Sequence, residues 1–230
     1  MNESYAKTRD RLELYFDQTA LKAWELLTTD MPISGIRARV RSGRDEMRRV
    51  LIESLPADLN GTRILDAGCG TGQTSLELAK RGANVVGVDI SNNLINLAKD
   101  RMPSEFSQKV DFRVGDMLSN QNGFFDYVIA MDSLIHYGPT DISIALSRLA
   151  DITKYSISFT VAPKTIFLTI LLMVGRTLPS SSRSPSIAPV TKKTLNLCLA
   201  KTQRLTRNEV EVLKRVRASF YVSEAMILKL

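Results

Sequence analysis

The chain has 230 residues, of which 44% are hydrophobic and 24% are charged, as in a soluble globular protein with one sizeable core. Its two cysteines, Cys69 and Cys198, are too few for a disulfide framework or a structural zinc site, so we expect a reducing compartment. The net charge of +7 is concentrated in residues 151–230, where 13 Lys and Arg residues stand against 4 Asp and Glu residues.

The pattern of apolar residues predicts a cytoplasmic protein. The N-terminus lacks a signal-peptide pattern, and the longest apolar run, residues 165–175, is about half of the roughly 20 residues that span a bilayer. A basic C-terminal third attracts anionic substrates, lipid surfaces or nucleic acid. Because no aromatic nucleic-acid motif accompanies the charge, we expect no nucleic acid partner. The basic charge is compatible with peripheral contact with a membrane.

Residues 1–60 are predicted to be helical. Apolar residues recur every three to four positions in segments 10–16 and 21–27, the spacing of an amphipathic helix. A third helix is predicted from about Ser42 to Leu55. The sequence therefore predicts a helical N-terminal cap.

From residue 61 to residue 230, short apolar strands alternate with helices, which predicts an α/β fold with a mostly parallel sheet. Two final strands joined by a turn suit an antiparallel edge on that sheet. Residues 164–200, which are apolar and then rich in Pro and Ser, are predicted to be a substrate-covering insertion. The predicted strands are 63–67, 84–89, 110–114, 125–131, 155–161, 210–216 and 220–228, and the predicted helices are 73–81, 92–101, 140–150 and 191–200.

The most informative segment is Asp66-Ala67-Gly68-Cys69-Gly70-Thr71-Gly72, which lies between a predicted strand and a predicted helix. Glycines there let backbone N–H groups approach a ligand closely, with the positive end of the helix behind them. The spacing is G-x-G-x-G, whereas a dinucleotide-binding fingerprint requires G-x-G-x-x-G. A carboxylate at Asp66 repels a pyrophosphate and attracts an ammonium group.

A second acid, Asp89, ends the next predicted strand, where a carboxylate can accept both hydroxyls of a ribose. An amino group at one acid and a ribose at the other describe S-adenosylmethionine better than NAD. The segment resembles the class I methyltransferase family, with its D-x-G-x-G-x-G motif, and this resemblance implies a Rossmann-like sheet with an antiparallel last strand. The cofactor-binding residues expected from these two strand ends are Asp66, Gly68, Gly70, Gly72, Asp89 and Ile90.

Two further strand ends carry distinctive residues. After the third strand, Asp116 is placed to accept from the adenine amino group and Met117 to pack on the ring, although a turn-capping role suits Asp116 equally well. After the fourth strand we expect Asp132 and Ser133 to contact the cofactor. His136, the only histidine, follows beside the expected methyl group and is a candidate catalytic residue; a structural, hydrogen-bonded histidine is the alternative.

The run Met131-Asp132-Ser133-Leu134-Ile135-His136-Tyr137 is similar to the segment after the fourth strand in magnesium-protoporphyrin IX O-methyltransferases of chlorophyll and bacteriochlorophyll synthesis. Supporting segments follow in order along the chain, at 15–17 with Trp24, 40–48, 159–163, 183–190 and 220–223. The resemblance implies methylation of a porphyrin propionate to the 13-monomethyl ester, with S-adenosyl-L-homocysteine as the other product. It implies that magnesium belongs to the substrate, so that the protein binds no metal.

The same resemblance suggests the porphyrin-binding subunit of magnesium chelatase as a partner and a photosynthetic membrane as a peripheral surface. The segment after Trp24 lacks a tyrosine, which leaves Tyr15 as the second candidate catalytic residue and Tyr137 as a substrate contact. Other functions remain as alternatives: a methyltransferase for another small apolar acid or phenol, a module that only binds the cofactor, and a nicotinamide enzyme.

An arginine cluster fits a substrate with two propionates, because guanidinium groups bind carboxylates through two parallel hydrogen bonds. Arg37, Arg39 and Arg41 alternate as if on one face of an extended segment. The expected substrate contacts are Arg37, Arg41 and Arg44. A solvated basic helix face is the alternative explanation of the cluster.

Overall fold

The computed structural model describes residues 3–17, 35–164 and 187–230. Seven strands lie in this part of the chain: β1 Arg63–Ala67, β2 Asn84–Asp89, β3 Val110–Val114, β4 Phe125–Ala130, β5 Thr153–Val161, β6 Val210–Ala218 and β7 Tyr221–Lys229. They form one sheet in the order β3-β2-β1-β4-β5-β7-β6, in which β1 to β5 are parallel. The predicted fold class is confirmed.

Six helices of two turns or more accompany the strands in the described ranges: α1 Glu3–Tyr15, α2 Ile36–Glu53, α3 Gln73–Lys80, α4 Asn92–Arg101, α5 Pro139–Asp151 and α6 Lys192–Leu199. They match the predicted helices, except that α1 and α2 begin six to seven residues earlier than expected. The predicted helix over 21–27, with Trp24, and the apolar run 165–175 lie outside the described residues. In the portion of the chain that the structure describes, no helix has the length and apolar character needed to cross a bilayer.

Both faces of the central strands are buried, as expected for parallel strands covered by helices. Alternate residues enter different cores, since successive side chains of a strand point to opposite faces. Leu65 of β1 joins the core beneath α1 and α5, whereas Ile64 joins the core beneath α2 and α3. The continuous apolar runs that predicted these strands therefore supply two separate cores.

The two final strands form an antiparallel edge of the sheet, as predicted, with β6 outermost. β7 lies between β5 and β6 and is antiparallel to both. The reason is visible in the side chains: β7 carries the buried run 225–228, whereas residues 211–215 of β6 are all exposed and include three charges. The strand with the more apolar sequence takes the interior position.

The described parts of the predicted cap and of the predicted insertion pack against the sheet. α2 packs on β6 and β7 and buries Met47 and Leu51, so this part of the predicted cap belongs to the layer that covers the sheet. Within the expected insertion 164–200, helix α6 packs on α5 and β6 with Leu195 and Leu199 fully buried. The described end of that segment is therefore core packing; the remaining residues, 165–186, lie outside the described ranges.

We expect Gly43→Ala to destabilise the fold, because a Cβ there would lie 2.7 Å from the Ala218 Cβ and 2.9 Å from the Tyr221 ring. Overpacking should lower the free energy of unfolding by about 1–3 kcal/mol, which exceeds the roughly 1 kcal/mol by which alanine favours a helix over glycine. Urea unfolding measures the difference. The adjacent exposed substitution Ser42→Ala is the control, and equal stability of the two variants would contradict the close packing of α2 on the β6–β7 hairpin.

Candidate active site

A cavity lies at the carboxyl ends of β1, β2 and β4. In the sheet, β1 lies between β2 and β4, and the strand order reverses direction at this point. Ligands of open α/β sheets bind at this kind of switch point. Helix α1 closes one side of the cavity. Three of its residues and the residue that follows it recur every three to four positions, so their side chains share one face. These are Tyr5, Arg9, Leu12 and Phe16.

The glycine turn forms the floor of the cavity at the end of β1. Gly68, Gly70 and Gly72 have φ angles of 80°, 53° and 78°, a left-handed conformation that glycine adopts without strain. The N–H groups of Gly68 and Cys69 donate to the Val88 carbonyl, and that of Gly72 donates to Cys69. These N–H groups therefore stabilise the turn, contrary to the expectation that they face a ligand. The glycines instead allow a ligand to approach the backbone closely, because they have no side chain.

Asp66 lies beneath this turn and does not line the cavity. Its carboxylate is 1% exposed and accepts a hydrogen bond of 2.6 Å from the Ser75 hydroxyl in α3. Burial raises the pKa of Asp66 to about 6, and the nearby Asp89 charge adds to the shift. The direct contact with an ammonium group that the sequence suggested is not available in this arrangement, because strand alternation turns the side chain towards α3.

Asp89 is held at the end of β2 by two backbone donors. Its Oδ2 accepts from the Gly70 N–H and its Oδ1 from the Ser91 N–H, both at 2.9 Å. Burial raises the pKa of the carboxyl group. Asp89 lines the cavity, and a carboxylate has about four lone-pair sites, so further acceptor capacity faces the ligand space.

Asp116 holds helix α1 in place. Its carboxylate accepts from the Tyr5 hydroxyl and from Arg9, each at 3.0 Å, and from the Leu118 N–H at 2.9 Å. Asp116 does not line the cavity, whereas Met117 and Ile90 do. The alternative interpretation of Asp116 as a turn-capping residue thus fits its contacts better than the predicted adenine contact.

His136 lies in a single 3₁₀ turn, Leu134–His136, that follows β4 and lines the cavity. The turn is fixed by Leu134, which is fully buried, and by the Ile135 carbonyl, which accepts from the Ala188 N–H at 2.9 Å. The His136 ring meets the Phe16 ring edge-on, with centroids 6.4 Å apart. A rigid loop and a ring from α1 therefore set the position of the imidazole.

The two candidate tyrosines differ in position. Tyr137 lines the cavity and stacks on Tyr5 with ring centroids 4.8 Å apart. Burial raises the pKa of the Tyr137 phenol, so its hydroxyl stays protonated at neutral pH. Tyr15 does not line the cavity; the next residue, Phe16, takes that place, and the Tyr15 ring packs edge-on against it at 5.3 Å.

The arginine segment is helical, and the predicted extended segment is wrong. At 3.6 residues per turn, positions two apart point in different directions. Arg37 is exposed away from the cavity, and Arg41 lines a separate groove behind the glycine turn, to which Gly72 also contributes. Arg44 and Arg48, one turn apart, enter the cavity itself.

Arg44 meets an acid at the end of β4. Its Nε lies 3.4 Å from Asp132 Oδ2, and both side chains are largely buried. Asp132 has a φ of 55°, its N–H donates to Thr160 Oγ1 at 2.7 Å, and its Oδ1 accepts from the Tyr221 hydroxyl at 3.1 Å. The next residue, Ser133, packs against Gly68, where a Cβ would lie 2.5 Å from the serine Cβ. Asp132 therefore lies beside the glycine turn.

Ten of the predicted site residues line the cavity: Gly68, Gly70, Asp89, Ile90, Met117, Asp132, Ser133, His136, Tyr137 and Arg44. Sequence reasoning missed the face of α1, the Arg48–Gln73 pair at 2.8 Å, and Tyr221. The spacing of Tyr5, Arg9, Leu12 and Phe16 was a usable signal for the first. Nothing local to residue 221 indicates a partner 89 positions earlier.

Comparison with known proteins decides the family. Residues 64–156 match the model of a methyltransferase domain, and residues 130–229 match the model described as magnesium-protoporphyrin IX methyltransferase C-terminus. The chain is 49% identical over 227 residues to the magnesium-protoporphyrin O-methyltransferase of Rhodobacter capsulatus, and the alignment covers 98% of both proteins. This chain belongs to the magnesium-protoporphyrin O-methyltransferase family.

Other members of the family agree in sequence and in fold. The Synechocystis magnesium-protoporphyrin O-methyltransferase is 32% identical over 74% of this chain and 75% of its own length. A crystal structure of magnesium protoporphyrin IX methyltransferase from Synechocystis with bound SAH has a TM-score of 0.77 at 25% identity, covering 98% of this chain and 99% of that one. The resemblance read from the histidine run is confirmed.

Asp66→Asn should change how stability depends on pH. The folded-state pKa of about 6 lies above the ordinary 3.8, so the stability contributed by the neutral carboxyl is complete below about pH 4 and is lost as the pH rises through 6. Asparagine stays neutral, so the free energy of unfolding of the variant relative to the parent should rise between pH 4 and 7 by up to about 3 kcal/mol. Urea titrations across that range measure it; a difference independent of pH would contradict the assignment.

Proposed function

We propose that this enzyme transfers the methyl group of S-adenosyl-L-methionine to a propionate carboxylate of magnesium protoporphyrin IX, giving the 13-monomethyl ester in (bacterio)chlorophyll biosynthesis. The observation that carries the proposal is the 49% identity, over nearly the whole of both chains, to the Rhodobacter capsulatus enzyme. The cavity at the strand ends supplies the chemistry that such a reaction needs.

The residues at the cavity fit an adenosyl cofactor. Asp89 has acceptor capacity for the ribose hydroxyls, and Met117 and Ile90 offer apolar surface for the adenine ring. Apart from its chain neighbours, none of the described residues has an atom within 4 Å of the position that a Cβ at Gly70 would occupy, so the glycine leaves that space for the ligand. When bound, S-adenosylmethionine would supply an electrophilic methyl group from its sulfonium. The methyl carbon bonds to a propionate oxygen as its bond to sulfur breaks, and S-adenosylhomocysteine is the leaving group.

The enzyme's own task is to position the carboxylate. A carboxylic acid with a pKa near 4 to 5 is ionised at pH 7, so no strong base is needed. Holding two reactants in near-attack geometry contributes about 7–11 kcal/mol to lowering a barrier. His136 and Tyr137 stand at the cavity wall after β4, where His136 orients the propionate or accepts a proton from the fraction that binds protonated.

Incubation with methyl-labelled S-adenosylmethionine and magnesium protoporphyrin tests the proposal, with the porphyrin ester read by mass spectrometry. We expect one added methyl group per porphyrin. Free protoporphyrin run in parallel shows whether the metal is recognised. Label that appears only in a small apolar acid or phenol would support the alternative methyltransferase, and saturable binding of NADH without binding of S-adenosylhomocysteine would overturn the proposal.

Two finer features of the family resemblance belong to the same proposal: delivery of the substrate by the porphyrin-binding subunit of magnesium chelatase, and peripheral contact with a photosynthetic membrane. The excess of positive charge in residues 151–230 supports contact with an acidic protein surface or an anionic membrane surface. Among the described residues, no three His, Cys, Asp or Glu side chains are grouped as metal ligands. The ground for assigning the magnesium to the substrate is the family resemblance, which implies that the porphyrin carries the metal.

His136→Ala should reduce turnover sharply, by about 10²- to 10⁴-fold, and leave the affinity for S-adenosylhomocysteine nearly unchanged. The reason is that the imidazole acts on the acceptor side of the cavity. Steady-state kinetics and calorimetry measure the two quantities. His136→Gln, which retains a hydrogen-bonding side chain, separates orientation from proton transfer. Parallel loss of turnover and cofactor affinity would instead make the residue structural.

Asp89→Ala should act on the cofactor. Loss of hydrogen bonds to a charged acceptor is expected to weaken S-adenosylhomocysteine binding by about 1.5–3 kcal/mol. Asp66→Asn is the matched control, because Asp66 lies outside the cavity and should retain binding. Calorimetry measures both variants, and equal losses would contradict the assignment of the cofactor contact to Asp89 and not to Asp66.

A further inference from the structure

The β6–β7 hairpin ends in a turn at the rim of the cavity. Val161, the last residue of β5, pairs with Glu224 of β7, so the turn 218–221 projects past the carboxyl end of β5. Tyr221, the first residue of β7, donates a hydrogen bond of 3.1 Å to Asp132, and Asp132 lines the cavity. The hairpin turn therefore lies beside the cavity, at the same pole of the sheet.

Helix α2 extends past this turn. Gly43 packs against the turn, since a Cβ there would lie 2.7 Å from the Ala218 Cβ, and three residues later Glu46 pairs with Lys214 at 2.7 Å. Because the contacts on β6 move back from the turn as α2 advances, the helix starts beyond the turn and runs down the strand. At a rise of about 1.5 Å per residue, Ile36 lies about 10 Å further out than Gly43.

Two large apolar side chains are exposed on these outer segments. Phe220, in the hairpin turn, is 52% exposed, and Ile36, the first residue of α2, is 53% exposed. Neither residue lines the cavity. A single exposed apolar side chain is ordinary in a folded protein, so the charge around these two decides what they indicate.

The same two segments are basic and contain no acid. Residues 35–44 include four arginines, and residues 212–223 include two arginines and one lysine. Of these cations, Arg37, Arg39 and Arg217 are exposed and belong to the outer parts of the two segments. Exposed apolar side chains flanked by cations are the composition of protein surfaces that lie on anionic lipid.

We propose that a rim patch made of Ile36, Arg37, Arg39, Arg217 and Phe220 binds the surface of an anionic lipid bilayer. The two apolar side chains enter the boundary between headgroups and acyl chains, and the arginines bind lipid phosphates. The inference rests on the proposed function and deepens it, because it places the membrane contact at the cavity rim and not across the basic C-terminal third as a whole. The cavity then lies next to the phase in which an apolar macrocycle dissolves.

The composition of the rim patch favours a bilayer over a second copy of the chain. In a two-fold dimer the same patch lies on both sides of the contact, so its arginines would meet one another without an acid from these segments between them. A bilayer surface adapts to what enters it, so protruding apolar side chains need no preformed pocket in the partner.

The expected binding is weak and reversible. Each cation near an anionic membrane strengthens binding about fivefold, so three exposed arginines together contribute about 10²-fold at low ionic strength. Burying the exposed halves of Phe220 and Ile36 adds about another tenfold. Salt should release the protein, because it screens the arginine contribution.

Co-sedimentation with vesicles of phosphatidylcholine mixed with phosphatidylglycerol tests the rim patch, and vesicles of phosphatidylcholine alone are the uncharged comparison. The unsubstituted protein should bind the anionic vesicles and be released by high salt. Phe220→Ser should weaken binding about three- to tenfold, and Arg217→Glu about tenfold or more.

Two matched controls lie at the opposite pole. Phe124, which is 75% exposed, precedes β4 at its amino end. Lys99 is exposed in the last turn of α4, a helix that begins beside the cavity and runs away from it. Phe124→Ser removes the same apolar side chain and Lys99→Glu reverses the same charge, and both should leave vesicle binding within about twofold.

Equal weakening by a rim variant and its matched control would overturn the rim patch, because binding would then follow net charge or general apolarity. Failure of the unsubstituted protein to bind anionic vesicles overturns the inference and leaves an acidic protein surface as the occupant. Gel filtration in which Phe220→Ser turns a dimer into a monomer overturns it in favour of a second copy.

Methyl transfer to magnesium protoporphyrin held in detergent separates this inference from the proposed function. The rate should be unchanged in Phe220→Ser and Arg217→Glu, which shows that both variants fold. Absence of transfer by the unsubstituted protein overturns the proposed function, whereas vesicle binding is measured without turnover and decides the rim patch by itself.

Discussion

The hydrogen bond from the Gly70 N–H to the Asp89 carboxylate joins the glycine turn to the neighbouring strand. It fixes the turn over the end of β2, and together with the Gly68 and Cys69 N–H groups on the Val88 carbonyl it makes the cavity floor rigid. The same carboxylate lines the cavity and has further acceptor capacity there. Because the acid is buried, losing either backbone donor would leave a desolvated carboxylate poorly satisfied, which is costly. The cavity floor and the proposed ribose contact therefore depend on one side chain.

Helix α1 completes the cavity from the opposite side, and two acids hold it there, one after β3 and one just past the helix itself. Asp116 accepts from Tyr5 and Arg9, while Asp17, just past the helix, accepts from Ser91 at the start of α4. The Tyr5 ring stacks on Tyr137, next to His136. The placement of α1 thus links the cofactor-binding strand ends to the loop that carries the candidate catalytic histidine, so that the acceptor and donor sides of the proposed reaction share one framework.

Much of the fold could be predicted from the sequence, since continuous apolar runs such as 63–67 and 84–89 require burial on both faces and alternate with amphipathic helices. The turn 66–72 identified the cofactor class, because its glycine spacing and flanking acids are local features. The histidine run identified the family for the same reason. Predictions that required a side chain's direction were less successful: Arg37 and Arg41 were assigned to the substrate from an alternating pattern, but the segment is a helix that sends them elsewhere.

The sequence by itself determined the strand and helix order, the glycine turn, the acid at 89 and the family, because each depends on neighbouring residues or on periodicity. Only the tertiary structure decided which acids face the cavity. Asp66 turns under the floor towards Ser75, and Asp116 binds α1, whereas Asp132 is brought against Arg44 and Tyr221. These outcomes depend on which distant elements pack together, for example α2 on the β6–β7 hairpin through Gly43, and the energy of that packing is not contained in any local segment of the chain.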